Sequence, residues 1–600
     1  MTAEDEVIAF MNKFIAARLA GDVPTVIDCY SDAWQDNKGF NKNSLREGQQ
    51  PFAVGMVDDK ISIDATQAKV TLDADTATYS PVVIDSEMGR ITYAYTLAKE
   101  PDQVWRLTFT QTLDWETFPM DDATQARKTE IDSLAQTVRS HRESLLSDPW
   151  RPGYHFVIPE GVAIPFDPNG AIFWKGRYHL FYIFQDKRSG RKEDHWGHVS
   201  STDLFHWRHH PTGLLDGMYS GNCFINEFGV PTMCYHQVDE GNALAIALDD
   251  ELNEWQKLDS NPITPITQEG DEHHGKYRSW DPFGWYDGER YYAIFGGEHP
   301  AIATSPNMEG KWRYVGDLFA NGIEGVSLNE DVSCADLFKL GDKDVLLCIS
   351  HRLGCRYYIG EWKNAQFHPE SHGQMSWVDN TFFAPESLCD DAGRRIMWAW
   401  LLDFRKFNVR LEQGWSGSMS LPRVLSLTDE GEMRMDVPEE IESLRYRPFS
   451  QENIVVDAES EVWIKGVSGN SLELKIEIAT QEADECGVVV CCSPDDVERT
   501  VIFYNETKGE LGIDTRHSGP AESPKDIEAG PFSLNDRESL QLRVFVDKSV
   551  VEVFANQRQA VMRRIYPGRA DSLGVKVFAK GGAIRITRLD AWHISTSNPY

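Results

Sequence analysis

No run of apolar residues in the chain approaches the roughly 18 that a membrane-spanning helix needs. Cysteine is scarce, ten residues in 600. There is no Cys-x-x-Cys pair, and only Cys491-Cys492 are adjacent. That excludes a disulfide scaffold and favours buried thiols over a metal or redox centre. Basic residues are also short: 59 Lys and Arg against 94 Asp and Glu leave a formal charge of −35. Nucleic acid and anionic membrane surfaces both need a basic footprint, so neither is an expected partner. A neutral substrate fits better, and a dense acidic surface suits a salty habitat, where counter-ions screen it. The opening Met1-Thr2-Ala3-Glu4-Asp5-Glu6 has neither the basic stretch nor the apolar core of a secretory leader. A soluble, cytoplasmic protein is expected of the chain as it stands, and a secreted one if a leader was trimmed from it. His209-His210 and His273-His274 are vicinal pairs, whose side chains point to opposite faces of a strand. Neither a metal nor a cofactor is therefore expected.

What is present is a folded, aromatic-rich chain, 41% hydrophobic and 11% aromatic, too long for one core. In the first 120 residues Val7, Phe10, Met11, Phe14, Ile15 and Leu19 recur at helical spacing. Gly21 breaks this helix, and Asp22 can cap a second one with Pro24 in its first turn. From Lys60 the period changes to two, most clearly in Val104–Phe109, with Trp105, Leu107 and Phe109 on one face. Helices followed by a curved antiparallel sheet resemble the nuclear-transport-factor-2-like (SnoaL-like) α+β cone. That resemblance implies an accessory or dimerisation domain, so a homodimer through this domain is the partner to expect. Residues 121–150 are a charged connector helix whose thin stripe of Ile131, Leu134, Val138 and Leu145 is expected to pack on a neighbour.

Between about 151 and 440 no long helical pattern survives, and a hairpin recurs. Asp167-Pro168-Asn169-Gly170 leads into one copy and Asp281-Pro282-Phe283-Gly284 into another. Looser copies begin near Asn222, Asp336 and Glu386, at intervals of 50 to 59 residues. Four strands per interval is the period of a propeller blade, so five copies predict a five-bladed β-propeller. Equivalent positions of innermost strands then converge on one axial pocket, and acidic residues recur there; converging carboxylates are costly unless used. Residues 445–600 alternate in short strands, with Asp547-Lys548-Ser549 as a turn, and predict a β-sandwich. The fold class is thus mainly β and multidomain.

The propeller and sandwich region resembles glycoside hydrolase family 32, the invertase, inulinase and levanase family. The resemblance rests on Asp167-Pro168-Asn169-Gly170, His195-Trp196-Gly197-His198 with Ser201–Trp207, and Tyr219-Ser220-Gly221. Trp280-Asp281-Pro282, Ser333-Cys334-Ala335-Asp336, Phe383-Ala384-Pro385-Glu386, Leu421-Pro422-Arg423 and Val544–Gln557 extend it in the same order. It implies a retaining glycosidase for sucrose or a fructan, with Asp167 as nucleophile and Asp281 holding fructose hydroxyls as charge develops. Gln185, Trp196, Tyr219 and Ser220 match positions that bind the terminal fructose. Phe166 stands where the family has Asn, and Trp280 where it has Arg; Arg278, two residues earlier, is the candidate substitute. Trp398, Trp400 and Trp415 could border the funnel or serve as the structural tryptophans common in blades, and are not counted among the site residues. A fructosyltransferase and a catalytically weak fructan-binding protein remain as alternative readings.

The proton donor departs furthest from the pattern. The family places Glu before its Cys, and here Ser333 stands there, a hydroxyl that cannot protonate a leaving group near neutral pH. Glu330 and Asp331 lie just upstream and are the expected donors: Asp331 shares the face of Ser333 by strand alternation, and Glu330 has the longer reach. Glu386, on the next repeat, is the third candidate.

Overall fold

The computed structural model describes residues 2–46, 61–86, 89–117, 121–163, 166–186, 193–377, 381–479, 483–520 and 525–599. The chain divides into two compact units, Met1–Arg139 and Ser140–Tyr600. No helix among the described residues is long and apolar enough to cross a membrane.

In the first unit, helix Ala3–Leu19 starts with a reciprocal cap. Asp5 N–H donates to Thr2 Oγ1 at 3.1 Å, and Asp5 Oδ2 accepts from Thr2 N–H at 2.8 Å. Val7, Met11, Phe14 and Ala17 form its buried stripe, while Leu19, expected in that stripe, is exposed at the helix end. Asp22 caps the second helix, Val23–Asp28, by accepting from Thr25 N–H at 3.2 Å. The helices precede a six-stranded sheet in which Tyr30–Asp36 runs parallel to Trp105–Thr117. Trp105 and Leu107 are buried, but Phe109 is 37% exposed. A register shift between Thr96 and Leu97, opposite Phe109 and Leu107, turns Phe109 onto the other face. Of the connector stripe on helix Asp122–Ser147, only Leu145 is buried, against Val157, Trp150 and Trp415; Ile131, Leu134 and Val138 are exposed.

The second unit opens with five antiparallel sheets, each built from at least four strands that follow one another in the chain. Their first strands are Phe166–Trp174, Met218–Ile225, Phe283–Tyr286, Ser333–Leu340 and Phe382–Cys389. Each first strand neighbours the next, and the fifth neighbours the first. Polar side chains tie every junction of this ring. Gly221 N–H donates to Asn169 Oδ1 at 2.9 Å, and Asn222 exchanges two bonds with the Gly284 backbone at 2.8 and 2.9 Å. Cys334 N–H donates to Asp281 Oδ2 at 3.4 Å, Ser387 Oγ donates to Asp336, and Ala171 N–H donates to Glu386 Oε1 at 3.0 Å. Such bonds satisfy inner backbone groups that no neighbouring ladder pairs.

Two six-stranded antiparallel sheets follow, with an aliphatic core drawn from both. The turn at Lys548, φ 53°, joins strands Leu540–Asp547 and Val550–Ala555 as the sequence predicts. This hairpin clasps the start of the unit. Asp547 accepts the N–H groups of Gly153, Tyr154 and His155 at 2.7, 2.8 and 2.9 Å. His155 lies between Asp547 and Glu552 at 2.9 and 3.2 Å, and Glu552 takes Arg423 Nη2 at 2.9 Å. All four side chains are essentially fully buried, so each charge needs its partner.

Candidate active site

Four of the five first strands begin irregularly. Register shifts fall at Phe166/Pro168, Tyr219/Gly221, Ser333/Asp336 and Phe383/Glu386. Within or beside them Asp167, Asp281, Cys334 and Ala384 adopt φ of 39°, 32°, 48° and 47°. Residues other than Gly in this region cost on the order of 1–3 kcal/mol each and persist only where the surroundings hold them. A bulge re-aims one side chain, and here three of the re-aimed side chains meet. Pro168 and Pro282 follow the two aspartates and bring no N–H that the broken ladder would leave unpaired.

The meeting point is the Cys334 sulfur. It lies 3.6 Å from Asp167 Oδ2, 3.6 Å from Ser220 Oγ and 3.8 Å from Asp281 Oδ2. Ser220 Oγ donates to Asp167 Oδ2 at 2.8 Å. Both carboxyls are buried, at 7% and 6% exposure. Burial raises the Asp167 carboxyl to about 6, against the lowering effect of the Ser220 and Cys334 hydrogen bonds. Burial and then the charge of Asp167 raise Asp281 to about 7, while the Cys334 N–H and Arg278 pull the other way. Burial, Asp167 and Asp281 push the Cys334 thiol well up, so it stays protonated.

An arc of rings walls this floor. Trp280 packs on Tyr219 at 5.3 Å between centroids, Tyr219 on Phe166 at 6.0 Å, and Phe166 on Trp400 at 6.1 Å. Trp400 meets Phe383 edge-on at 6.1 Å, and Phe383 meets His351 edge-on at 5.3 Å. The arc therefore runs from the third sheet round to the fourth. Phe166, Tyr219, Trp280, Phe383 and Trp400 are half-buried, which suits stacking on the apolar face of a sugar. His351 was not singled out from the sequence, Phe383 was named only within a motif and Trp400 only as a candidate border of the pocket; the fold is what brings the three together.

The other expected site residues divide. Arg278 is exposed and lies over the Trp280 ring at 4.0 Å, where its charge also acts on Asp281. Gln185 donates to Asp194 Oδ1 at 2.9 Å, and Asp194 in turn is near enough to perturb Tyr219. Trp196 is 0% exposed and donates to the Tyr219 carbonyl at 3.2 Å, so it supports the Tyr219 backbone from within the core. Glu386 lies further along the first strands, lining a cavity of about 290 Å³ with Asp336, Ser387 and Arg395. Burial and the nearby Asp336 push its carboxyl well up, and its Oε1 accepts the Ala171 N–H at the junction of the fifth and first sheets. The geometry gives Glu386 to ring closure and not to the floor around Asp167.

Glu330 and Asp331 also differ from expectation. Glu330 is buried; Ser350 Oγ donates to its Oε1 at 2.7 Å, and Arg352 holds its Oε2. Asp331 Oδ1 accepts from Ser333 Oγ at 2.8 Å, and its Oδ2 accepts from His351 N–H at 2.9 Å with His351 Nδ1 at 2.5 Å. The two acids grip the hairpin turn that follows strand Lys343–Ser350. Three of the pair's four oxygens are engaged there and the fourth, Asp331 Oδ1, by Ser333, because the segment before Ser333 is not yet strand and its side chains turn toward the adjacent hairpin.

Apart from this site, His179, His198 and His210 gather behind the first sheet. His179 Nδ1 and His198 Nε2 are 2.9 Å apart, and His198 stacks on His210 at 4.1 Å and 23°. Burial lowers His179 to about 3 and His198 well below its ordinary value. Ring lone pairs lie in the ring planes, so stacked rings do not aim them at one ion.

Residues 159–437 match the glycosyl hydrolases family 32 N-terminal domain, and residues 440–593 match the glycosyl hydrolases family 32 C terminal domain. The chain belongs to glycosyl hydrolase family 32. Among family relatives, a sucrose-6-phosphate hydrolase of Zymomonas mobilis is 26% identical over 503 residues, covering 76% of this chain and 94% of the relative. A levanase of Bacillus subtilis is 28% identical over 506 residues, covering 76% of this chain and 72% of the levanase. The crystal structure of fructan 1-exohydrolase IIa from Cichorium intybus superposes with a TM-score of 0.66 at 22% identity, over 75% of this chain and 98% of that one. Against the family pattern, Phe166 and Trp280 exchange polar contacts for ring surface, and both belong to the arc just described.

Proposed function

We propose that the five sheets close as the blades of a five-bladed propeller, followed by a β-sandwich, and that the axial floor is the active site of a retaining β-fructofuranosidase. The domain reading that goes with it is 1–120 for the cone, 121–150 for the connector, 151–440 for the propeller and 445–600 for the sandwich. The observation that carries the function is the pair of buried aspartates, Asp167 and Asp281, sharing one sulfur beneath an aromatic arc. Two carboxyls whose surroundings separate their proton affinities can take different roles. Asp167, at about 6, is ionised at neutral pH and attacks the anomeric carbon of a terminal fructosyl unit. Asp281, at about 7, binds ring hydroxyls as the oxocarbenium-like charge develops. Tyr219, Trp280 and Trp400 stack on the sugar, while Gln185, through Asp194, flanks Tyr219.

The substrate is sucrose or a β-fructan of the inulin or levan type. The test is product analysis on sucrose, inulin and levan. Free fructose is the expected product; longer oligomers would indicate transfer to a sugar, and no release from any of them would contradict the assignment. A second reading, fructan binding with weak catalysis, is favoured by one observation alone, Ser333 at the position where the family resemblance places the acid.

A further inference from the structure

A glycosidase of this kind needs a proton for the departing oxygen; with Asp167 and Asp281 assigned above to attack and to the ring hydroxyls, the other residues around the floor can be eliminated in turn. Ser333 is a hydroxyl spent on Asp331. The Cys334 thiol is pushed well up and holds its proton too tightly. Glu330 is buried against Ser350 and Arg352, and Glu386 belongs to the cavity beyond the floor. Asp331 has both oxygens engaged. What Asp331 holds is an imidazole. His351 sits on the turn between strands Lys343–Ser350 and Gly354–Lys363, at the end of the aromatic arc, with 67% of its side chain exposed. Its charge reaches Asp167.

We propose that His351, clasped at Nδ1 by Asp331, is the proton donor to the leaving group in this chain. The proposal rests on the β-fructofuranosidase reading above. A ring held at Nδ1 by a carboxylate presents its transferable proton at Nε2, with the tautomer and orientation set by the acid. In the first half-reaction the Asp167 carboxylate bonds to the anomeric carbon, the bond from that carbon to the glycosidic oxygen breaks, and the Nε2 proton passes to the oxygen. The alcohol leaves neutral, and the ring keeps its Nδ1 proton on Asp331. In the second, Nε2 takes a proton from water as the water oxygen bonds to the anomeric carbon. The ester bond to Asp167 then breaks and restores the carboxylate. Asp331 is a positioning residue, and so is Glu330: its bonds to Ser350 and Arg352 fix the turn, whose Leu353 N–H also donates to Ser350 Oγ at 2.9 Å. Asp331 bonds the ring, Asp167 is within reach of its charge, and the neighbouring Arg352 is paired to Glu330.

The experiment compares the full-length chain with His351→Gln and Asp331→Asn on sucrose and on a nitrophenyl fructofuranoside, whose phenolate leaves without a proton. For His351→Gln, kcat/KM on sucrose should fall about 10²–10⁴-fold, and on the aryl substrate by less than about tenfold. Asp331→Asn should lower sucrose turnover less, because the amide still contacts the ring while the carboxylate that sets its tautomer and orientation is gone. A structural role would cut both substrates alike. That result, or an unaltered His351→Gln enzyme, overturns the proposal and leaves the β-fructofuranosidase reading standing. A wild-type chain that cleaves neither substrate overturns both.

Discussion

Asp167 carries a conflict between two local forces. Its burial favours the protonated acid, and its reaction needs the carboxylate; the 2.8 Å bond from Ser220 supports the ionised form. With the carboxyl at about 6, kcat/KM should fall as pH drops below that value, since the protonated acid cannot attack. Removing a donor from an ionised oxygen raises its pKa, so Ser220→Ala should move this acid limb upward. A hydrogen bond to a charged group is worth about 1.5–3 kcal/mol, which corresponds to roughly one to two pH units. A pH profile between 4.5 and 8 reads the shift. An acid limb that stays in place would show that Ser220 does not tune this carboxyl.

Among the elements, the hairpin around Asp547 and Glu552 does structural work for the whole second unit. It explains why two separated motifs, Leu421-Pro422-Arg423 and Val544–Gln557, stand together in this chain: Arg423 and Glu552 are a buried pair. Glu552→Gln keeps an acceptor for the Leu421 N–H, 2.8 Å away, and removes the charge together with the oxygen that accepts from Arg423. It should destabilise the second unit by about 3–5 kcal/mol, the cost of leaving a buried guanidinium without its counter-charge. Urea unfolding of the variant measures this, and an unchanged midpoint would contradict the clasp. The same scale shows what sequence could reveal. The repeated Asp-Pro pairs placed Asp167 and Asp281 at corresponding points of a hairpin repeat, because a turn and two apolar strands leave a pattern of local spacing. The bulges that rotate Asp167 and Cys334 inward leave no such pattern; strand alternation did place Asp331 beside Ser333, whose Oγ donates to it, but it could not show that the other oxygen is held by His351. His351 was invisible for another reason: its partner lies 20 residues away and across a strand pair. Trp196 looked like a sugar platform and is core, since a buried Trp and an exposed one read alike in a sequence.

At the scale of the whole molecule, every residue assigned to the chemistry lies in Ser140–Tyr600. The division falls inside helix Asp122–Ser147, whose end packs Leu145 against Val157 and Trp415, while Trp415 Nε1 donates to Asp148 at 2.8 Å. A chain beginning at Ser140 retains those contacts and should keep its kcat/KM on sucrose within about twofold, as distant independent parts contribute additively. In the first unit Leu113 and Trp115 are exposed on the last strand, and sedimentation of the full-length and shortened chains would show whether this unit mediates assembly. A folded but inactive shortened chain would give the first unit a part in the site. The account as a whole stands on Asp167, and the direct measurement is fructose release from sucrose by Asp167→Asn, with its melting curve taken alongside. The account predicts a folded protein with turnover lower by on the order of 10⁴-fold or more, as expected for loss of a covalent nucleophile. Near-normal turnover in a folded Asp167→Asn protein would contradict it.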